Sequence, residues 1–383
     1  MSQDTLLIPG PVTLSKNVIN TLGSQSLSHL SPEFTSIFKE ALQNSRSLFK
    51  AHPQRGQPLI IAGSGTLGFD LVGTNLIDPI NDKILLLSTG FFSNEFATCL
   101  EQNYKVQHLN ILKAPIGGVV PMDQIVNSLQ QDNYKAIIMT HVDTSTGVRS
   151  DVEKISQVVK KISPNTLIVV DAVCSLGCET LKFHDWGLDF ALSASQKALG
   201  MAPGLSVCMI SDRALDVALD EKTKPTGFYA SIKNWYPVLK NSELGVATYF
   251  ATPPVQLIAA LNVALKEILS YKYKGLVGID ARVAKHADVS KWFKTKMVQE
   301  LHLKLLPSSE KNAANGLSAI YADDPASLIS YLKNEKHIIV AAGILKEIKS
   351  KYFRVGHMGV SACDDSLGQL GSCFDAIQEI LQQ

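Results

Sequence analysis

The chain has 383 residues, 45% of them hydrophobic, so it can bury a large core and is long enough for two or three domains. Charged residues make up 19% and the formal net charge is +1, which leaves no long-range field to single out nucleic acid or an acidic membrane as partner. No run of 18 or more apolar residues is present to span a bilayer. The six cysteines lack zinc-type pairing, and Cys174 and Cys178 form only a lone C-x3-C, so all six read as reduced core thiols.

The opening MSQDTLLIPGP lacks the basic and apolar regions of a signal peptide. The closing EILQQ is not a peroxisomal address. A cytoplasmic protein is expected, with a mitochondrial one left open. Ser31 reads as a helix N-cap with Pro32 at the first helical position, opening PEFTSIFKEALQNSRSLFK. From there to about Ser211, apolar runs alternate with helical patterns. PLIIAG, KILLLSTG, YKVQHLN, KAIIMTHV, TLIVVDAV, DFALSAS and LSVCMIS are strand candidates. Most are continuous rather than alternating, as in strands covered on both faces. NEFATCLEQN, MDQIVNSLQQ and DVEKISQVVKKI are helix candidates between them. The pattern predicts a doubly wound α/β domain with a mostly parallel sheet. A long helix over VQLIAALNVALKEIL then carries the chain into a smaller α/β domain, with strands GLSAIYA, HIIVAAG and KYFRVG and helices PASLISYLKNEK and LGSCFDAIQEIL. The expected division is an N-terminal segment 1–14, a large domain 15–256 and a small domain 257–383.

AGSGTLGFD contains a literal G-x-G-x-x-G from Gly63 to Gly68 after an apolar run. A dinucleotide site needs an acidic residue at the end of the next strand to hold the ribose. That strand ends in Ser88, Thr89 and Gly90, with no carboxylate. The loop still offers glycine amides, the Ser64 and Thr66 hydroxyls and a helix N-terminus, which together suit one phosphate. A Gly-rich turn that merely opens a helix is the competing reading. Further on, Asp171 closes the strand in TLIVVDAVCSLG, and Lys197 follows the strand in DFALSASQKALG. Each alone is equally a solvated surface charge. Together with a phosphate loop they form the trio that pyridoxal phosphate uses: a phosphate cradle, an acid for the pyridinium nitrogen and a lysine for the imine.

Nine ordered motifs then make the chain resemble the class-V, fold-type I pyridoxal-phosphate aminotransferases of the alanine–glyoxylate and serine–pyruvate group, most of all their fungal members. They are LIPGPV, SHLSPEF, AGSGTLGFD, STGFF, THVDTSTGV, VVDAVCSLG, SASQKALGMAPG, YFATPPV and FRVGHMG, and they cover nearly the whole chain. The resemblance implies that Lys197 is the catalytic lysine and Asp171 the partner of the ring nitrogen. It implies that Ser64, Gly65, Thr66 and Gln196 hold the phosphate, that Val173 and Phe92 flank the ring, and that Thr144 sits near the ring hydroxyl. Arg354 would bind the substrate carboxylate, with the backbone at Pro9 and Gly10 lining the pocket. Tyr249 and Thr252 would reach the phosphate of a neighbouring subunit, which makes a homodimer the expected unit.

The chain departs from the family pattern at Phe92, where many relatives carry tryptophan, at Ala194, where glycine is common, and in GMAPG. None of these removes a group the chemistry needs. A desulfurase of the same fold is disfavoured because no cysteine lies between Cys208 and Arg354. A non-catalytic relative would not need Lys197, Asp171 and Arg354 together. His29, His141 and His357 read as structural or pocket-lining, and KSKYF before Arg354 as a solvated edge. Of the six arginines (46, 55, 149, 213, 282 and 354) only Arg354 stands in a motif expected to point into the site. Alanine is therefore the expected donor and glyoxylate the acceptor, with serine as the alternative donor.

Overall fold

The computed structural model describes residues 4–382; residues 1–3 of the expected N-terminal segment and residue 383 of the expected small domain lie outside it. β1 (Thr5–Leu6) is followed by α1 (Lys16–Leu22) and α2 (Pro32–Leu48). The Ser31 hydroxyl accepts from the Phe34 N–H at 3.2 Å, which starts α2 at Pro32. The chain then alternates through β2 (Gln57–Gly63), α3 (Leu67–Asn75), β3 (Lys83–Ser88), α4 (Phe91–Thr98), β4 (His108–Lys113), α5 (Met122–Gln131) and β5 (Ala136–Thr140). A small ribbon, β6 (Val142–Asp143) with β7 (Val148–Arg149), leads to α6 (Val152–Ile162), β8 (Leu167–Asp171), β9 (Phe190–Ala194) and β10 (Gly204–Ile210).

The larger strands form one seven-stranded sheet in the order β2-β10-β9-β8-β5-β3-β4. β10 is antiparallel to both neighbours, and the remaining strands share one direction. β5, β8 and β9 are buried at every position, so they appear in the sequence as unbroken apolar runs. Because β2, β3, β5, β8 and β9 run the same way, their carboxyl ends deliver residues 64–66, 89–92, 141–144, 171–173 and 195–197 to one edge.

Helices α7 (Asp212–Leu219), α8 (Ile232–Leu244) and α9 (Val255–Ser270) follow. The sequence reading puts the domain change at residue 257, inside α9. Ile258, Leu261, Leu265 and Ile268 of α9 join the core of the large sheet, and α9 packs along α1 and α2. The chain leaves that core only afterwards, through the hairpin β11 (Lys272–Tyr273) and β12 (Leu276–Val277), into α10 (Ile279–Gln299).

β13 (Leu317–Tyr321), α11 (Pro325–Asn334), β14 (Ile338–Ile339), β15 (Ala341–Ala342), β16 (Tyr352–Gly356), α12 (Val360–Cys363) and α13 (Gln369–Leu381) complete the chain. A three-stranded sheet, β13-β16-β15, carries a second core that includes Phe293, Ile320, Leu332, Phe353, Phe374 and Ile377. Leu7 enters this second core, and β1 pairs in parallel with β14, so the N-terminal segment is stitched to the small unit before it reaches the large one. Among the described residues no helix is long and apolar enough to cross a membrane.

Three local readings change. YKVQHLN is not one strand: β4 begins at His108, because Tyr104 turns inward onto Gly73 and donates its hydroxyl to Asp70 Oδ1 at 2.9 Å. HIIVAAG divides between two partners, β14 against β1 and β15 against β16. KSKYF is not a solvated edge: its lysines are exposed, but Tyr352 and Phe353 are fully buried.

Candidate active site

The strand ends enclose a cavity of about 290 Å³ at the carboxyl edge of the large sheet. Ser64, Gly65, Thr66, Phe92, Thr144, Asp171, Val173, Gln196, Lys197 and Gly10 all line it. Phe69, Val142, Pro11 and Pro203, which the sequence reading did not single out, complete its wall.

Its floor is the N-terminus of α3. The Gly65 and Thr66 amides donate to no protein acceptor among the described residues, and the Ser64 and Thr66 hydroxyls pair with each other at 2.5 Å. Unpaired amides at the positive end of a helix dipole are what an anion needs. Gly65 is required here for space, since a Cβ would come within 2.7 Å of Val173 Cγ2. Gln196 adds an amide whose buried Oε1 has no partner. Its oxygen and nitrogen are interchangeable at this level of detail, so it can turn an N–H toward an anion.

Asp171 closes β8 and is buried. Its Oδ1 accepts from the Val173 N–H at 2.9 Å, the one hydrogen bond its side chain makes among the described residues. Burial pushes its carboxyl up to about 7 against the effect of that bond. A carboxyl raised in this way by burial is one that an adjacent cationic ring nitrogen would stabilise in its charged form. Lys197 follows β9 and is also buried; burial lowers its amine below the ordinary lysine value. Its Nζ donates to the Pro9 carbonyl. Gly10 has φ +87°, and a Cβ there would lie 2.5 Å from Lys197 Cδ, so glycine lets the N-terminal segment close over the lysine. Val173 and Phe92 supply apolar walls. Free helix amides, an unpartnered carboxylate, a buried amine and two apolar faces around one cavity fit pyridoxal phosphate.

Arg354 projects from β16 and does not line the cavity itself. Nη1 donates to the Thr144 carbonyl at 3.1 Å, and Nε and Nη2 donate to the Ala342 carbonyl at 3.0 and 2.8 Å. These three bonds leave two of the guanidinium's five donors. No arginine lines the cavity itself. Arg46, Arg55, Arg149 and Arg213 pair with Glu243, Asp212, Glu179 and Asp189, and Arg282 donates to the Ala198 carbonyl at 3.3 Å. Tyr249 and Thr252 are not brought to the cavity by their own chain. Both are exposed and share a hydrogen bond of 3.2 Å.

Asp143 is a residue the sequence reading missed. It is fully buried, its Oδ1 accepting from the Ser145 N–H and hydroxyl and its Oδ2 from the Ser93 N–H and hydroxyl. It ties the loop carrying Thr144 to the helix carrying Phe92, and the DTSTG turn was its only signal. His141 is buried, with burial driving its imidazole down to about 3, so it is neutral. His357 shares a 2.9 Å hydrogen bond with the Ser318 hydroxyl. His29 packs its ring 5.3 Å from that of Tyr249. No cysteine lines the cavity, and no group of three or more metal-ligating side chains occurs among the described residues.

Residues 14–345 match the family described as Aminotransferase class-V. The chain is 46% identical to alanine–glyoxylate aminotransferase 1 of Saccharomyces cerevisiae over 388 residues, covering 100% of this chain and 99% of that protein. It is 26% identical to the L-aspartate–glyoxylate aminotransferase of Paracoccus denitrificans, covering 94% and 87%. The crystal structure of an alanine–glyoxylate aminotransferase from Nostoc sp. superimposes with a TM-score of 0.88 over 100% of this chain and 96% of that one; at 24% identity this is a likeness of fold.

Asp171 yields a pH test on the cofactor-free protein. Its folded value of about 7 lies above its ordinary 3.8. Between these the folded state holds a proton that the unfolded chain releases, so the stability contribution is fully present below pH 4 and is lost as pH rises through 7. The loss amounts to at most about 4 kcal/mol. Asp171→Asn should therefore be more stable than the wild type to urea at pH 8, with the margin shrinking as pH falls toward 4. A margin independent of pH would show that Asp171 is not held as a strained carboxylate.

Proposed function

The chain belongs to the class-V aminotransferases, and we propose that within this family it transfers the amino group of L-alanine to glyoxylate, giving pyruvate and glycine, with pyridoxal 5'-phosphate as its cofactor. The observation that carries this reading is the pair of buried opposite charges, Lys197 and Asp171, facing one cavity over the free amides of α3. In this assignment Ser64, Gly65, Thr66 and Gln196 hold the phosphate, Asp171 pairs with the ring nitrogen, Val173 and Phe92 cover the ring faces, and Thr144 lies by the ring hydroxyl. Bound there, the cofactor supplies an electron sink for the charge left when the amino acid loses its Cα proton.

Lys197 Nζ takes that proton and returns it. Its lowered basicity makes the neutral amine accessible, and the Pro9 carbonyl orients it by accepting one of its N–H groups. Arg354 receives the substrate carboxylate on its two remaining donors, the bidentate geometry that a planar guanidinium favours. The Thr144 and Ala342 carbonyls hold its plane. Phe69, Phe92 and Val173 keep water from the reacting atoms. Since no arginine lines the cavity and the five besides Arg354 are engaged elsewhere, a donor with a side-chain carboxylate would bury a charge without a fork, a cost of several kcal/mol. That favours alanine. Serine is the competing donor, because a pocket seldom rejects one added hydroxyl on size.

A homodimer belongs to the same proposal. Tyr249 and Thr252 lie away from their own cavity, and the segment around them exposes Leu244 and Val246. Apolar side chains left in water in this way suit a subunit interface. There Tyr249 and Thr252 would complete the phosphate site of the neighbouring subunit.

Two experiments test these statements. With glyoxylate as acceptor, kcat/KM should be higher for alanine than for aspartate or glutamate by at least about 100-fold, the effect of roughly 3 kcal/mol. A preference for either acidic donor would reveal a second anion site, and a preference for serine would transfer the assignment to serine. For the dimer, subunits carrying Lys197→Ala are mixed with subunits carrying Tyr249→Phe and Thr252→Ala. Each mixed dimer should regain one intact site, so activity should exceed that of both parents. Proven subunit exchange without that gain would rule out shared sites.

A further inference from the structure

β16 sends two side chains to the large unit from one face, Arg354 and Tyr352, two residues apart. They reach consecutive carbonyls of one loop: Arg354 Nη1 donates to Thr144, and the Tyr352 hydroxyl donates to Ser145 at 2.8 Å. The same hydroxyl accepts from the Ile344 and Leu345 amides, each at 3.0 Å. A phenol has one donor and two lone pairs, so the Tyr352 oxygen is saturated. It is also fully buried. The loop it grips is itself pinned from below, since Asp143 binds Ser145 on one side and Ser93 on the other.

We propose that Tyr352 is a positioning residue for the substrate carboxylate: its hydroxyl locks β16 and the 343–351 loop onto the loop bearing Thr144, and so holds the Arg354 fork at its distance from the cavity. This rests on Arg354 being the carboxylate ligand. Arg354 has only carbonyl partners, Thr144 on the large unit's side and Ala342 on the neighbouring strand β15. The loop bearing Thr144 is joined to the small unit again at Gly147, whose carbonyl accepts from the Ala314 amide at 2.9 Å, but at Thr144 and Ser145 the side-chain ties from β16 are those of Arg354 and Tyr352. The donor and the acceptor of an aminotransferase share one group, the α-carboxylate. A loosened fork must therefore weaken both to the same degree. A loss common to ground state and transition state appears in KM and leaves kcat in place.

Tyr352→Phe removes the hydroxyl and keeps the ring. In the cofactor-loaded enzyme it should raise KM for alanine and for glyoxylate by a common factor of about ten, with kcat within about threefold of wild type, and leave the absorbance of the bound cofactor unchanged. Hydrogen exchange at the Ile344 and Leu345 amides should quicken. A second variant keeps the hydroxyl and displaces the ring together with the 343–351 loop: in Gly343→Ala the new Cβ would lie 2.5 Å from both Tyr352 Cε1 and the Lys349 carbonyl oxygen, and it should give the same paired rise. It decides the matter if Tyr352→Phe fails to fold. Arg354→Lys must raise both KM values at least as much; if it changes neither, the role of Arg354 falls and this inference with it. If Arg354→Lys raises both while the Tyr352 and Gly343 variants raise neither, raise only one, or lower kcat alone, then Tyr352 is merely structural and the inference is overturned.

Discussion

Lys197 and Asp171 stand at the ends of neighbouring strands, and both have been taken out of water without a protein counter-ion within bonding distance. Removing an ammonium or a carboxylate from water costs several kcal/mol each. At the carboxyl edge of the large sheet the chain bears this cost for an acid and a base that face one cavity. The tension shows in both groups, since burial raises the acid to about 7 and lowers the lysine. Everything else at that edge relates to these two charges. The Gly65 and Thr66 amides, Gln196 and Asp171 face the same cavity, and Gly10 lets the N-terminal segment close on Lys197.

The parallel sheet makes the arrangement possible. A strand buried on both faces must be apolar along its length, so polar chemistry can begin only where the strand stops. This is why Asp171 and Lys197 could be read from the sequence as the first charged groups after TLIVV and DFALSAS. It is also why the G-x-G-x-x-G loop carries no dinucleotide signal beyond its glycines. The same logic fails for α10. Its inner face buries Arg282, Lys285, His286 and Lys294, so the apolar period expected of a core helix is broken although the helix runs from Ile279 to Gln299. In α8 an internal Pro237 obscures the pattern. At YKVQHLN the aromatic and β-branched residues suggested a strand, but Tyr104 is committed to Asp70 and Gly73 on another element.

Site residues divide in the same way. Those at strand ends were legible from position and residue type. Arg354 was legible only through the resemblance of FRVGHMG to a family, since nothing local distinguishes it from five other arginines. The bonds that Asp143 and Tyr352 make were not legible. Their work is to join segments far apart in the chain, Ser93 with Ser145 and Ser145 with Leu345, and such bonds leave no periodicity behind. Tyr249 and Thr252 are the reverse case: the family pattern names them for the site, while their own chain leaves them on the surface.

In the proposed site Lys197 is the one lysine the cofactor meets. Reduction of the cofactor-loaded enzyme with borohydride, followed by proteolysis and peptide mass mapping, tests it most directly, because it fixes the cofactor's carbon to whichever amine it occupies. The expected result is one modified peptide, spanning Ser195 to Gly200, with the added mass on Lys197. Stoichiometric modification of any other lysine, with Lys197 left free, would contradict the site described here.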